Sequence, residues 1–269
     1  MHIEISCLQG TPMRAANWNK TMHLIIPLVS AAFFAGLVDS IAGGGGLISL
    51  PALLIAGVEP HIALGTNKIQ SFFGTSFSTA RYYKAGQLYP PTGVPAACGA
   101  LVGSFMGARL ALSLSADFLL HAVPFVVLGV GIFTFARPSF GLYDTFRPRK
   151  ARDVQISWAL GLIIGAYDGF FGPGTGTFLA FFFVLLFGFG FLRATAQAKL
   201  VNLASNVAAV AAFALAGKAD LTLAMPMAAA NIMGNWLGAG LAMRKGAVVI
   251  KPIFGLVLGG LLIKLLFFS

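Results

Sequence analysis

Charged side chains are scarce in this chain: 18 Lys and Arg and 8 Asp and Glu make up 10% of its 269 residues. A soluble domain carries about a quarter, and a surface so poor in charge does not stay dissolved. Disorder is excluded as well, because it needs low hydrophobicity and high net charge. Two cysteines, Cys7 and Cys98, form no CxxC pair, so neither a disulfide nor a metal site is read from them. The four histidines (His2, His23, His61 and His121) stand far apart, without metal-ligand spacing. No GxxxxGK[ST] loop is present, so this chain alone does not hydrolyse nucleotide. An intramembrane enzyme would need a nucleophile with its base or a metal pair, and the sequence offers neither a serine elbow with a partner His nor HExxH. No cofactor is expected.

Apolar residues take the place of all these, at 58% of the chain with a mean hydropathy of +0.86. Their runs are long and continuous, unlike the alternating stretches of a membrane β-barrel. At roughly 20 residues per span, the length holds about eight to ten helical segments and no separate soluble domain. The fold expected is an all-α polytopic membrane protein. A net charge of +10 then reads as positive-inside loop bias and attraction to anionic lipid, not as a nucleic-acid surface.

Four regions are expected: a polar N-terminal tail (1–21), a first membrane repeat (22–136), a basic cytoplasmic loop (137–155) and a second membrane repeat (156–269). The loop carries Arg137, Arg147, Arg149, Lys150 and Arg152, which places it in the cytoplasm. The segments expected to be helical are 22–42, 47–58, 61–84, 92–114 and 118–136, then 156–171, 178–191, 193–216, 221–243 and 248–268. The stretches 47–58 and 178–191 are short and follow glycine runs, so each is either a short span or a re-entrant half-helix. The 61–84 segment carries Asn67, Lys68 and Gln70, and must therefore face protein or water.

The two halves match. Asp39 before Gly43–Gly46 corresponds to Asp168 before Gly172, Gly174 and Thr175 at an offset of 129 residues, and from there the offset is 131. Ala63 then aligns with Ala194, Lys68 with Lys199, Gly86 with Gly217, Pro95 with Pro226, Gly103 with Gly234 and Gly107 with Gly238. Glycine matches mean little in this composition, but a lysine pair and a proline pair at one offset indicate tandem duplication, common in secondary transporters. If the short segments cross fully, the halves are inverted; if they are re-entrant, the halves are parallel. Inversion is favoured because it supplies alternating access through symmetry.

Several residues are candidates for chemistry. Broken helices at membrane depth expose backbone N–H groups and a positive helix end, which suits anions; the residues concerned are Gly44, Gly45, Gly174 and Thr175. The plainer reading is a close helix crossing. Lys68 and Lys199 would each cost about 2.5–3.5 kcal/mol at the bilayer centre unless they snorkel, pair with a carboxylate or meet an anion. Asp39 and Asp168 either neutralise these lysines or carry a coupling proton. Neutralisation is favoured, because each aspartate has a lysine in its own half. Asn67, Gln70, Asn202 and Asn206 offer donors to an oxyanion, or serve as interhelical glue. Arg109 is expected to snorkel.

The stretches GLVDSIAGGGGLISLPALLIAG and ALGTNKIQSFFGT, with YDGFFGPGTGTF and ATAQAKLVNLASN, closely resemble the sulfite exporter TauE/SafE family, and within it the YfcA branch of bacterial inner-membrane proteins. The resemblance runs from about residue 30 to the C-terminus. It implies a multi-pass inner-membrane permease for a small sulfur-containing anion such as sulfite or an organosulfonate. From the aspartates, the anion is expected to move against or with protons. The second motif reads GPGT where the first reads GGGG, so the halves need not bind identically. A scaffold or assembly factor without a substrate is the alternative, and paired Lys and Asp at membrane depth speak against it.

Overall fold

The computed structural model describes residues 18–135, 144–148 and 151–245, with nine helices among them. These are α1 (Trp18–Ala42), α2 (Gly46–Ile55), α3 (Pro60–Lys84), α4 (Pro90–Ser113), α5 (Ala116–Phe135), α6 (Ala151–Phe170), α7 (Thr175–Phe187), α8 (Phe191–Leu215) and α9 (Leu221–Lys245). Most of the N-terminal tail, part of the basic loop and the expected segment 248–268 lie outside the described residues. No strand occurs among the described ones. Among the described residues, three stretches are long and apolar enough to cross a membrane by length and composition: Ile25–Ala42, Pro90–Ser113 and Phe191–Leu215.

The helices fall close to the expected segments, with one notable difference. α6 starts at Ala151, inside the stretch assigned to the basic loop, with Asp153 in its first turn. A carboxylate there interacts favourably with the partial positive charge of a helix N-terminus.

α2 has 10 residues, or about 15 Å, half of what a bilayer core requires. Its length is set by the glycines before it. Gly43 holds φ +75°, a left-handed conformation, and the chain turns back so closely that a Cβ on Gly45 would sit 2.8 Å from the Ala35 carbonyl of α1. After a four-residue connection α3 returns alongside, with Ser49 Oγ 2.6 Å from Asn67 Oδ1. The short helix therefore reverses direction without the length to cross. α7 is built the same way, after Gly172 (φ +88°) and Gly174 (φ +77°).

Direction can be read from the contacts. Gly65 near the start of α3 packs on the carbonyl of Lys218 beyond the end of α8, and Gln197 near the start of α8 donates to the Tyr89 carbonyl beyond the end of α3. α3 and α8, which share the 131-residue offset, are thus antiparallel. Re-entrance was expected to go with parallel halves, but the short helices double back and the corresponding helices still oppose. Each short helix reverses the chain once, so α1 to α5 alternate through five segments.

Two glycine seams join the halves. On α4, Gly99, Gly103 and Gly107 lie against the Trp158, Leu162 and Ala166 carbonyls of α6, and Gly161, Gly165 and Gly169 return the contact to Ala96, Ala100 and Ser104. A Cβ on Gly103 would fall 2.0 Å from the Leu162 oxygen. The α1–α9 seam repeats this, with Gly234 against the Phe33 carbonyl and Gly36 against that of Asn231. Small residues at a four-residue period let backbones approach this closely.

Candidate functional site

The two glycine breaks meet inside the bundle. Thr177 donates its N–H to the Gly43 carbonyl at 3.2 Å and its hydroxyl to the Ala42 carbonyl at 2.7 Å. A Cβ on Gly43 would lie 2.1 Å from the carbonyl carbon of Gly176. The N-termini of α2 and α7, with their partial positive charge, therefore begin at one junction. Gly44, Gly45 and Thr175 are all buried there. The Gly44 carbonyl accepts from Leu47 N–H at 3.0 Å, and Thr175 Oγ1 donates to the Gly172 carbonyl at 2.8 Å. Gly174 takes the left-handed conformation that precedes α7.

Two ion pairs flank the junction. Lys68 Nζ lies 2.8 Å from Asp168 Oδ2, and Lys199 Nζ lies 2.7 Å from Asp39 Oδ2. Neither lysine snorkels: Lys68 is 2% exposed and Lys199 0%. Each lysine was expected to find the aspartate of its own half, and the structure exchanges the partners. The cause is the antiparallel placement of α3 beside α8. It brings the start of α3 to the end of α6, and the start of α8 to the end of α1.

The pairs differ in their surroundings. Ser205 Oγ donates a short hydrogen bond to the same Asp168 oxygen that meets Lys68. A Cβ on Gly172 would come within 2.9 Å of Lys68 Nζ, so the missing side chain makes room for the ammonium. Lys199 Nζ, by contrast, meets only Asp39 Oδ2 among the described residues, at 2.7 Å, so its remaining N–H groups lack an acceptor. About two turns further along α8, the buried Asn206 Nδ2 is without a partner.

The amides divide similarly. Asn67 Oδ1 accepts from Gln70 Nε2 at 2.9 Å and faces Ser49 Oγ, so these first-half amides hold α2 against α3. Asn202 is buried at 7% exposure. On α9, Asn231 Nδ2 donates to the Ala32 carbonyl of α1 at 3.0 Å, and Asn235 Nδ2 to Asn231 Oδ1 at 2.9 Å, which is seam glue.

Sequence reasoning missed three contributors. Ser205 stands at the 131-residue offset from Gly74, so no matching hydroxyl in the first half signalled it. Tyr82 donates its hydroxyl to the Ser40 carbonyl at 2.8 Å, and Tyr167 donates to the Pro173 carbonyl at 2.6 Å. These two phenols each tie down one end of a break.

At the start of α3, Glu59 caps the helix, its carboxylate accepting from Ile62 N–H at 3.1 Å. His61 Nδ1 lies 2.6 Å from the other carboxylate oxygen, and His61 Nε2 lies 3.1 Å from the Leu114 carbonyl. Burial pushes the Glu59 carboxyl up, but the hydrogen bonds from His61 and Ile62 outweigh it and hold it below its ordinary value.

Residues 28–265 match the family model described as sulfite exporter TauE/SafE. A probable membrane transporter protein, ORF9, from a Sinorhizobium species is 39% identical over 244 residues, covering 91% of this chain and 93% of its own. The probable membrane transporter protein YfcA of Escherichia coli K12 is 35% identical over 255 residues, covering 93% and 94%. A probable membrane transporter protein of Haemophilus influenzae is 35% identical, covering 86% and 90%. No solved structure matches. With matches of this extent to family and relatives, the chain belongs to the sulfite exporter TauE/SafE family and is a multi-pass inner-membrane transporter, not an enzyme.

Proposed function

We propose that this transporter is a secondary permease for a small anion, a sulfur-containing oxyanion or organosulfonate, bound where the two glycine breaks meet. The observation that carries the reading is the Lys199 ammonium: fully buried, beside two half-helix N-termini, and engaged among the described residues by Asp39 alone, which leaves its other N–H groups without an acceptor. An unsatisfied buried donor is costly, and an oxyanion supplies the missing acceptors. Asn206 Nδ2, also unpartnered, adds a second donor from α8. In this reading Lys68 is held by Asp168 and Ser205 and is chiefly structural, while Asn67, Gln70 and Asn202 shape the surroundings. Gly44, Gly45, Gly174 and Thr175 supply helix-end charge.

The halves act as inverted repeats that exchange access by rocking about the glycine seams. Asp39 and Asp168 neutralise the lysines, and transport coupled to protons would proceed through changes in these pairs.

The test is sulfite and taurine flux in proteoliposomes, with binding followed separately. Lys199→Gln is expected to weaken anion binding at least tenfold and to cost less stability than Lys68→Gln, since the Asp39 side chain it leaves is 11% exposed against 2% for Asp168. Unchanged affinity in that variant would return Lys199 to a structural role.

A further inference from the structure

Arg109 stands apart from the other basic side chains by its position, since Lys84, Arg147, Arg152 and Arg244 are also exposed and outside the ion pairs but lie at the end of the bundle that carries the basic loop. Lys68, Lys199, Arg193 and Lys218 each face a carboxylate, and the Arg81 guanidinium lies over the Trp236 ring at 4.8 Å while donating to its carbonyl. Arg109 is exposed and forms no ion pair with any described carboxylate. Positive loop bias does not account for it either. α5 carries the chain from the end of α4 to the basic segment, and Thr145 of that segment bonds to the Gly188 carbonyl just before α8 begins. Arg109 lies beside the other end of α8. It is therefore at the face of the bundle opposite the basic loop.

There it lines a cavity of about 310 Å³ between the last turns of α4 and α8, with Phe105, Leu112, Ala212, Leu215 and Ala216 as apolar walls. The cavity opens onto an apolar surface: among the described residues Leu215 is 84% exposed, Met106 62% and Leu110 55%. Arg109 is four residues from the end of α4, about 6 Å, which puts the guanidinium at headgroup level.

We propose that this groove is a binding site for an anionic glycerophospholipid, its phosphate paired with Arg109 and an acyl chain lying along Phe105 and Leu215. A planar guanidinium binds phosphate oxygens in a two-pronged fashion. The apolar walls distinguish a lipid from a free anion, since inorganic phosphate has nothing to place against them. The site is independent of the transported substrate.

The experiment is native mass spectrometry of the purified full chain titrated with phosphatidylglycerol, phosphatidylcholine or inorganic phosphate. Phosphatidylglycerol is expected to bind the wild type about fivefold more tightly than Arg109→Gln, the factor equivalent to about 1 kcal/mol for one basic residue at a lipid surface. Ala216→Trp fills the groove while leaving the arginine, and should weaken the lipid similarly. Equal phosphatidylglycerol affinity in wild type and both variants would overturn the proposal. So would inorganic phosphate binding as tightly as the lipid, which would make the site a free-anion site, or phosphatidylcholine matching phosphatidylglycerol.

Discussion

A buried lysine and a buried aspartate each cost several kcal/mol to desolvate, and their mutual attraction repays this only with good geometry and further hydrogen bonds. The Lys68–Asp168 pair has both, with Ser205 on the carboxylate. Removing Lys68 alone strands a carboxylate that is 2% exposed. Lys68→Gln is thus expected to lower stability by about 3–5 kcal/mol, and Lys68→Gln with Asp168→Asn to recover most of that loss in a thermal unfolding series in detergent. A double variant as unstable as the single one would mean the aspartate has another essential partner. The lysines and aspartates themselves were legible in the sequence, because the same residue recurs at a nearly fixed spacing. Their partners were not, since an offset says which residues correspond and nothing of which copy each one meets. Ser205 was hidden for a related reason: it replaces Gly74 of the first half, and a hydroxyl appearing once in a repeat gives no pattern.

Among the elements, the glycines of the α4–α6 seam and those of exposed faces should respond differently to the same substitution. Gly103→Ala puts a methyl 2.0 Å from a backbone oxygen, so the helices must separate, at about 1–3 kcal/mol. Gly129→Ala on α5 meets nothing within 4 Å and should leave the melting temperature unchanged or slightly raised. The start of α3 offers a pH test. The folded Glu59 carboxyl sits below its ordinary value of 4.5, so its contribution is complete above that value and is lost as pH falls through the folded one. Wild type should therefore lose stability between about pH 5 and pH 3 by more than Glu59→Gln does; parallel curves would show that the cap is energetically silent. Element positions were readable because apolar runs and glycine interruptions are local. The turning back of α2 was not, because a 10-residue apolar run has one composition whether it continues across or returns.

For the whole molecule, the contacts place residue 147 and residue 218 at opposite ends of α8. In a background with both native cysteines replaced by serine, Arg147→Cys should react with an impermeant maleimide from the cytoplasmic side and Lys218→Cys from the other. Labelling of both from one side would contradict their placement at opposite ends of a membrane-crossing α8.

The exchanged ion pairs also bear on how the chain is made. Synthesis delivers Lys68 to the membrane about 100 residues before Asp168 exists, and Asp39 about 160 before Lys199, so for those intervals each charge lacks the partner it has in the finished protein. Ribosome-bound intermediates ending near residue 140 should therefore stay beside the insertion machinery, detectable by site-specific crosslinking from residue 68. They should be released only when α8 emerges. A first half expressed alone should be cleared by membrane proteases, and co-expression with the second half should rescue it, because each half brings the counter-charges that the other needs.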